Sequence, residues 1–230
     1  MGLFITTTFA LALLAAFPAA SATDSSLYYK LRARVTGPKT ESTPKVDGWA
    51  IEVRKLGITT RTPPDWMWGV LYNPTFNCTI PGCDQGRGGD TFYTQPAGDK
   101  SHVRTDAPNA QREVTPFGFY VQEGYDLVSD QMVAVRSNTA ETVVDVAVED
   151  GVPLLEKPGF EATFVACNET YREWAVVYWT DVARFGTDPI YNQDWRTCTE
   201  IQLVPECYSD GPGYERLEET PCVADIATVL

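Results

Sequence analysis

The side chains with the right chemistry for bond-making in this 230-residue sequence are its acids, 31 Asp and Glu against 18 Lys and Arg, with one histidine. Glycoside hydrolysis needs two carboxyl groups held a set distance apart across a cleft. Asp84, Asp90, Asp99, Asp106, Glu113, Asp126, Asp130, Asp145 and Glu149 offer many such pairs, and that abundance keeps any one pair from being diagnostic. Solvated surface is the ordinary place for such residues. The histidine, His102 in Gly98-Asp-Lys-Ser-His-Val103, would have to serve any Ser-His-Asp triad. No G-x-S-x-G elbow accompanies it, and its polar setting reads as an exposed loop. Zinc fails for want of ligands, because there is no C-x-x-C pair beside that single imidazole. No catalytic residue, metal ligand or cofactor is assigned.

Asp84-Gln-Gly-Arg-Gly-Gly-Asp90 brings Asp and Gly close together as a calcium loop does. It lacks the alternating oxygen ligands and closing glutamate of an EF-hand. Its glycines do not sit between a strand and a helix, so a phosphate cradle is excluded too and a turn remains. Aromatic residues point elsewhere. Trp66, Trp68, Val70 and Tyr72 share one face of an extended segment, and exposed aromatic planes stack on sugar rings. The same stripe also suits a core. Trp66, Trp68, Tyr72 and Trp195 are therefore the binding candidates, Trp66 and Trp195 being the best placed for exposure beside Pro- or Asp-containing loops. Asn77-Cys-Thr79 and Asn168-Glu-Thr170 are N-glycosylation sequons.

The elements that must position these residues are strands. Tyr29, Leu31, Ala33 and Val35 alternate with Lys30, Arg32 and Arg34, a period of two with one wet side. Trp49, Ile51 and Val53 against Glu52 and Arg54 mark a second strand, and Trp66 to Tyr72 a third. Short strands follow at 117–122, 131–136 and 142–148, with Asp150-Gly151 turning the chain. Phe160 to Cys167 is half-buried. Glu173 to Trp179 is apolar on both faces, as a doubly covered strand would be. Cys198 to Cys207 sets Ile201 and Leu203 against Glu200 and Gln202, and should stop near Pro205. Residues 73–115 read as one long irregular loop holding only a short strand at 91–94. No amphipathic helix is evident. The pattern is that of an all-β domain, a single antiparallel β-sandwich or barrel.

Met1 to Ala22 carries no ionisable side chain and leads through an apolar centre into Ala20-Ser-Ala22. It reads as a secretory signal peptide, followed by one domain over 23–230. The net charge of −13 repels phosphate backbones and anionic lipid, which excludes nucleic acid and membrane surfaces as partners. Six cysteines in an exported chain imply disulfides. Fifteen pairings are open to them. The expected set is Cys78–Cys83, Cys167–Cys198 and Cys207–Cys222, which respectively close a small loop, tie two core strands and fasten the tail.

Phe164-Val-Ala-Cys167, Trp174 to Trp179 and Cys198-Thr-Glu-Ile-Gln-Leu-Val-Pro-Glu-Cys207, together with Tyr29-Lys-Leu-Arg32, resemble a group of small secreted fungal proteins of unknown function. The resemblance implies an extracellular, mainly β domain, in some cases at the cell wall, with no catalytic residues to carry over. The expectation is a secreted glycoprotein acting as a non-enzymatic binding module. Its partner would be a glycan, a cell-wall polysaccharide or a host surface protein. The rival is a carbohydrate-active enzyme using an Asp/Glu pair beside a tryptophan-lined groove.

Overall fold

A computed structural model describes residues 23–54, 66–73, 89–97, 100–108, 113–121, 133–137, 144–158, 162–168, 174–181 and 197–230. Fourteen strands occur among them: β1 (Asp24–Ser26), β2 (Tyr28–Val35), β3 (Ala50–Arg54), β4 (Trp66–Tyr72), β5 (Phe92–Ala97), β6 (Lys100–Pro108), β7 (Val114–Val121), β8 (Val133–Ser137), β9 (Asp145–Glu149), β10 (Val152–Glu156), β11 (Ala162–Asn168), β12 (Trp174–Asp181), β13 (Cys198–Tyr208) and β14 (Thr220–Cys222). The helical element among these residues is a short 3₁₀ turn, Ile226–Thr228. No helix here is long and apolar enough to cross a membrane.

Six strands close on themselves in the order β12-β11-β13-β2-β3-β4, with β4 pairing back to β12. This is an antiparallel barrel, so the sandwich-or-barrel alternative resolves to closure, which protects strand edges. One edge of β4 is shared. Its Val70–Tyr72 end pairs with β12, and its Trp66–Trp68 end pairs with β8. From there a second set of strands, β8-β7-β6-β5, runs round until Phe92 pairs with Tyr29 of β2.

Local pattern explains most of this. Tyr29, Leu31 and Ala33 of β2 are fully buried on one face, as alternation requires. On β12, Ala175 and Val177 enter the main core with Phe164, Ile201 and Leu203. Val176 and Tyr178 point the other way, into a second cluster with Val70, Val165, Cys167 and Cys198. Both faces are thus covered, as the unbroken apolar run requires. Burying each large side chain contributes roughly 1.5–3 kcal/mol. Asp150 and Gly151 both hold positive φ, 48° and 80°, the backbone of a two-residue type I′ turn between β9 and β10.

Four expectations are corrected. Residues 73–115 are not one irregular loop, because β5 and β6 form a paired hairpin from Phe92 to Lys100–Thr105. β6 was hard to read because polar residues take core positions, Thr105 donating to the Thr91 carbonyl at 2.8 Å. His102 lies on that strand and is buried, rather than exposed on a loop. Glu52 and Arg54 are buried as well, so β3 has no wet side. Finally, β13 runs through Pro205 to Tyr208. β11 covers β13 only from Cys198 to Ile201, so Pro205 falls where its missing N–H interrupts no ladder with that strand.

Cys167 and Cys198 face each other across β11 and β13 and are bonded, and Cys207 bonds Cys222. Both pairings match expectation; Cys78 and Cys83 lie outside the described residues. Bonded cysteines are the covalent mark of a chain that matures in an oxidising, extracellular-type compartment.

Candidate functional site

The β9–β10 hairpin packs beside β13 and, with β11 and β12, borders a cleft of about 270 Å³. The two-residue turn sets the register: Glu149 opposes Val152, Ala147 opposes Leu154, and Asp145 opposes Glu156. Leu155, Phe164 and Ile201 floor the cleft from the main core, and Trp179 forms one wall. The Trp179 ring meets Phe164 edge-on at 4.6 Å between centres, which fixes its plane while leaving it only half-buried. Gln202 stands on the rim, where its carbonyl accepts from Arg34 Nε at 2.9 Å and also from the outer guanidinium nitrogen.

Two carboxyl groups meet in this cleft. Glu156 is held above the usual carboxylate range, first by burial, then by the charge of Glu149, by a hydrogen bond to that same carboxyl group, and by Asp145. Burial and the neighbouring acids thus make the charged form of Glu156 harder to hold than that of an isolated surface glutamate. The cleft therefore sets carboxyl oxygens, Gln202 and Lys157 beside an aromatic wall, a combination suited to a polyhydroxylated ligand.

A second carboxyl cluster lies on the side where the tail crosses the strands. Asp106 of β6 accepts from the Tyr93 hydroxyl at 2.9 Å and from the Tyr214 hydroxyl at 3.2 Å to each of its oxygens. Tyr214 belongs to a strap, residues 209–219, whose ends converge at the Cys207–Cys222 bond. Gly213 N–H donates to the Tyr28 hydroxyl at 2.8 Å, and Glu218 bridges to Thr94 of β5. A Cβ at Gly211 would sit 2.2 Å from the Tyr28 ring, so glycine lets the strap backbone lie against it.

The predicted binding aromatics fare differently. Trp68 and Tyr72 are buried, at 8% and 4% exposure. The Arg54 guanidinium carbon lies 5.2 Å from the Tyr72 ring centre and 4.6 Å from that of Trp174. These two rings consequently pack and hold a cation instead of offering an open face to a sugar. The Trp66 side chain, Trp195 and Asn77 lie outside the described residues, as do Asp84, Asp99, Asp126 and Asp130. Asp90 pairs with Lys30 at 2.7 Å. Asn168, at the end of β11, is exposed.

Of the predicted acids, the fold brings Glu149 to the cleft and Asp145 near enough to act on Glu156 by its charge, and it adds Glu156 itself, which the sequence did not single out. The Asp-Gly turn was a usable signal, since a two-residue loop by itself places Glu156 opposite Asp145. Tyr93 and Tyr214 carried no such signal, being 121 positions apart (214 − 93) and joined only through Asp106. Comparison with known proteins finds no matching family model, curated protein or solved structure. The class defined by fold and covalent structure is a disulfide-stapled antiparallel β-barrel.

Proposed function

We propose that this chain is a secreted, non-enzymatic binding module whose cleft takes a neutral segment of an extracellular glycan such as a wall polysaccharide. The observation that carries this reading is the half-buried Trp179 wall sharing one cleft with Glu149 and Glu156, two acids close enough that Glu149 helps raise the pKa of Glu156. A sugar ring stacks on the indole while its hydroxyls exchange hydrogen bonds with the acids. The leader-like residues 1–22, the two bonded cysteine pairs and the exposed Asn168 support export and glycosylation.

The raised pKa of Glu156 favours one other reading, the carbohydrate-active enzyme. Glycosidases separate their two carboxyl groups by about 5–5.5 Å or about 6.5–9.5 Å to admit a sugar carbon or a water. Both acids here belong to one hairpin, β9–β10, instead of flanking the cleft from separate elements, which supports binding over turnover.

A glycan array run beside a hydrolysis assay on wall polysaccharides tests the proposal. One glycan class should be bound without turnover, and Trp179→Ala should weaken it by roughly tenfold or more, the scale of one lost aromatic contact. Glu156→Gln, with its amide retaining donor and acceptor, should keep most of the binding. Turnover abolished by Glu156→Gln, or specific capture of a host surface protein with no glycan bound, would overturn the reading.

A further inference from the structure

Tyr93, Tyr214 and Asp106 have a chemistry independent of the cleft. The two phenol rings lie 5.2 Å apart between centres at a 48° tilt, and both hydroxyls donate to the same carboxylate. Tyr28 adds a third phenol, its ring 6.3 Å from that of Tyr93. Tyr93 is fully buried, whereas Tyr214 is half-exposed on the strap. Burial foremost, and then the Asp106 charge, raise both phenols above their ordinary ionisation range, Tyr93 by far the more. Raised in this way, each phenol gives up its proton more readily together with an electron than alone.

We propose that Tyr93 and Tyr214 form an oxidative cross-linking site, at which a peroxide-driven one-electron oxidant joins the strap to β5 as a dityrosine. The outer phenol, Tyr214, meets the oxidant first, giving up one electron while its proton passes along the hydrogen bond to Asp106 and on to solvent. The radical passes to Tyr93 by ring contact, and a second oxidation regenerates a radical on Tyr214. The ring carbons ortho to the two hydroxyls then form one C–C bond, and the hydrogens those carbons carried move as protons to the two phenol oxygens, which restores both hydroxyls and both aromatic rings. The balance is two hydrogens, as two protons and two electrons, lost from the protein. Hydrogen peroxide accepts both and leaves as two waters. Cys207–Cys222 keeps the strap in register for the coupling, and the new bond would lock the strap to β5 at a second point.

The test uses the full-length oxidised protein with a haem peroxidase and hydrogen peroxide, read by peptide mass mapping and dityrosine fluorescence. The expected product is an intramolecular peptide pair joined through Tyr93 and Tyr214, lighter by two hydrogens. Tyr214→Phe should abolish that product with its near-ultraviolet dichroism otherwise native. Asp106→Asn, which keeps the shape but takes away the proton acceptor, should slow its formation by roughly ten- to a hundredfold. Oxidation that leaves Tyr93 and Tyr214 unlinked, linkage only between tyrosines of separate molecules, or an unchanged rate in Asp106→Asn would overturn the proposal.

Discussion

Asp106 and Glu156 are both partly buried carboxyl groups on hairpin strands, yet the fold surrounds them with opposite partners. Asp106 faces two phenol donors, so its lone pairs are satisfied and the cluster fastens the strap to β6. Glu156 faces another carboxyl group, so its environment favours a retained proton and leaves polar atoms at a cleft. Donors turn one acid into a structural fastener. A like partner keeps the other available to a ligand. The lesson is that an acid in a sequence acquires a role from what stands opposite it, and residue type alone decides little.

The largest break in this comparison should come from Cys207→Ser with Cys222→Ser. Removing a bridge of sequence separation 15 should cost about 3 kcal/mol by chain entropy. Thermal denaturation would show it, with loss of the Tyr214 contact visible in near-ultraviolet dichroism and Glu156 titrating as before. Unchanged stability would mean the strap is held by its hydrogen bonds alone. Next in size, Asp106→Asn replaces a charged acceptor of two phenol donors with a weaker neutral one and should cost about 1–2 kcal/mol in urea unfolding. A neutral result there would remove the distinction between the two acids.

Gly151→Ala should cost about 1 kcal/mol, because the residue sits at φ 80° and no atom within 4 Å of an added Cβ compensates or clashes. The effect should extend to the cleft, disturbing the Glu149–Glu156 register and lowering the Glu156 pKa toward the ordinary carboxylate range in a carboxyl-resolved NMR titration. The smallest effect is the pH slope. A carboxyl group whose folded pKa is raised binds more protons folded than unfolded, so its contribution is present at acid pH. That contribution is lost as pH climbs from the ordinary carboxylate range through the raised value. Glu156→Gln should flatten this part of the stability profile and be no less stable than the native chain at neutral pH. A profile of unchanged slope would show that Glu156 is not the proton-holding group.

Much of the architecture could be read from residues alone. Period-two alternation located β2, β4 and β13 to within two or three residues, because the pleat imposes it on any strand with one buried face, and the unbroken apolar run located β12 as a strand covered on both. Asp150-Gly151 announced its hairpin, since few residue pairs accept two positive φ angles. β6 escaped because Thr105 and His102 occupy buried positions that a hydropathy pattern assigns to surface. The aromatic stripe of β4 was visible while its exposure was not, as a strand at a shared barrel edge is covered by neighbours from two different strand sets.

By itself, the chain's sequence determined most of the strands and the β9–β10 turn, which follow from periodicity and local backbone preference. The 167–198 and 207–222 cysteine pairs were one expectation among fifteen until the fold brought them together. Only the tertiary structure decided that six strands close, that Tyr214 reaches Asp106 across 108 positions, and that Glu156 meets Glu149 under Trp179. The physical reason is that alternation says which face a side chain occupies, whereas its partner is set by the register between segments. That register is a property of the whole packed sheet.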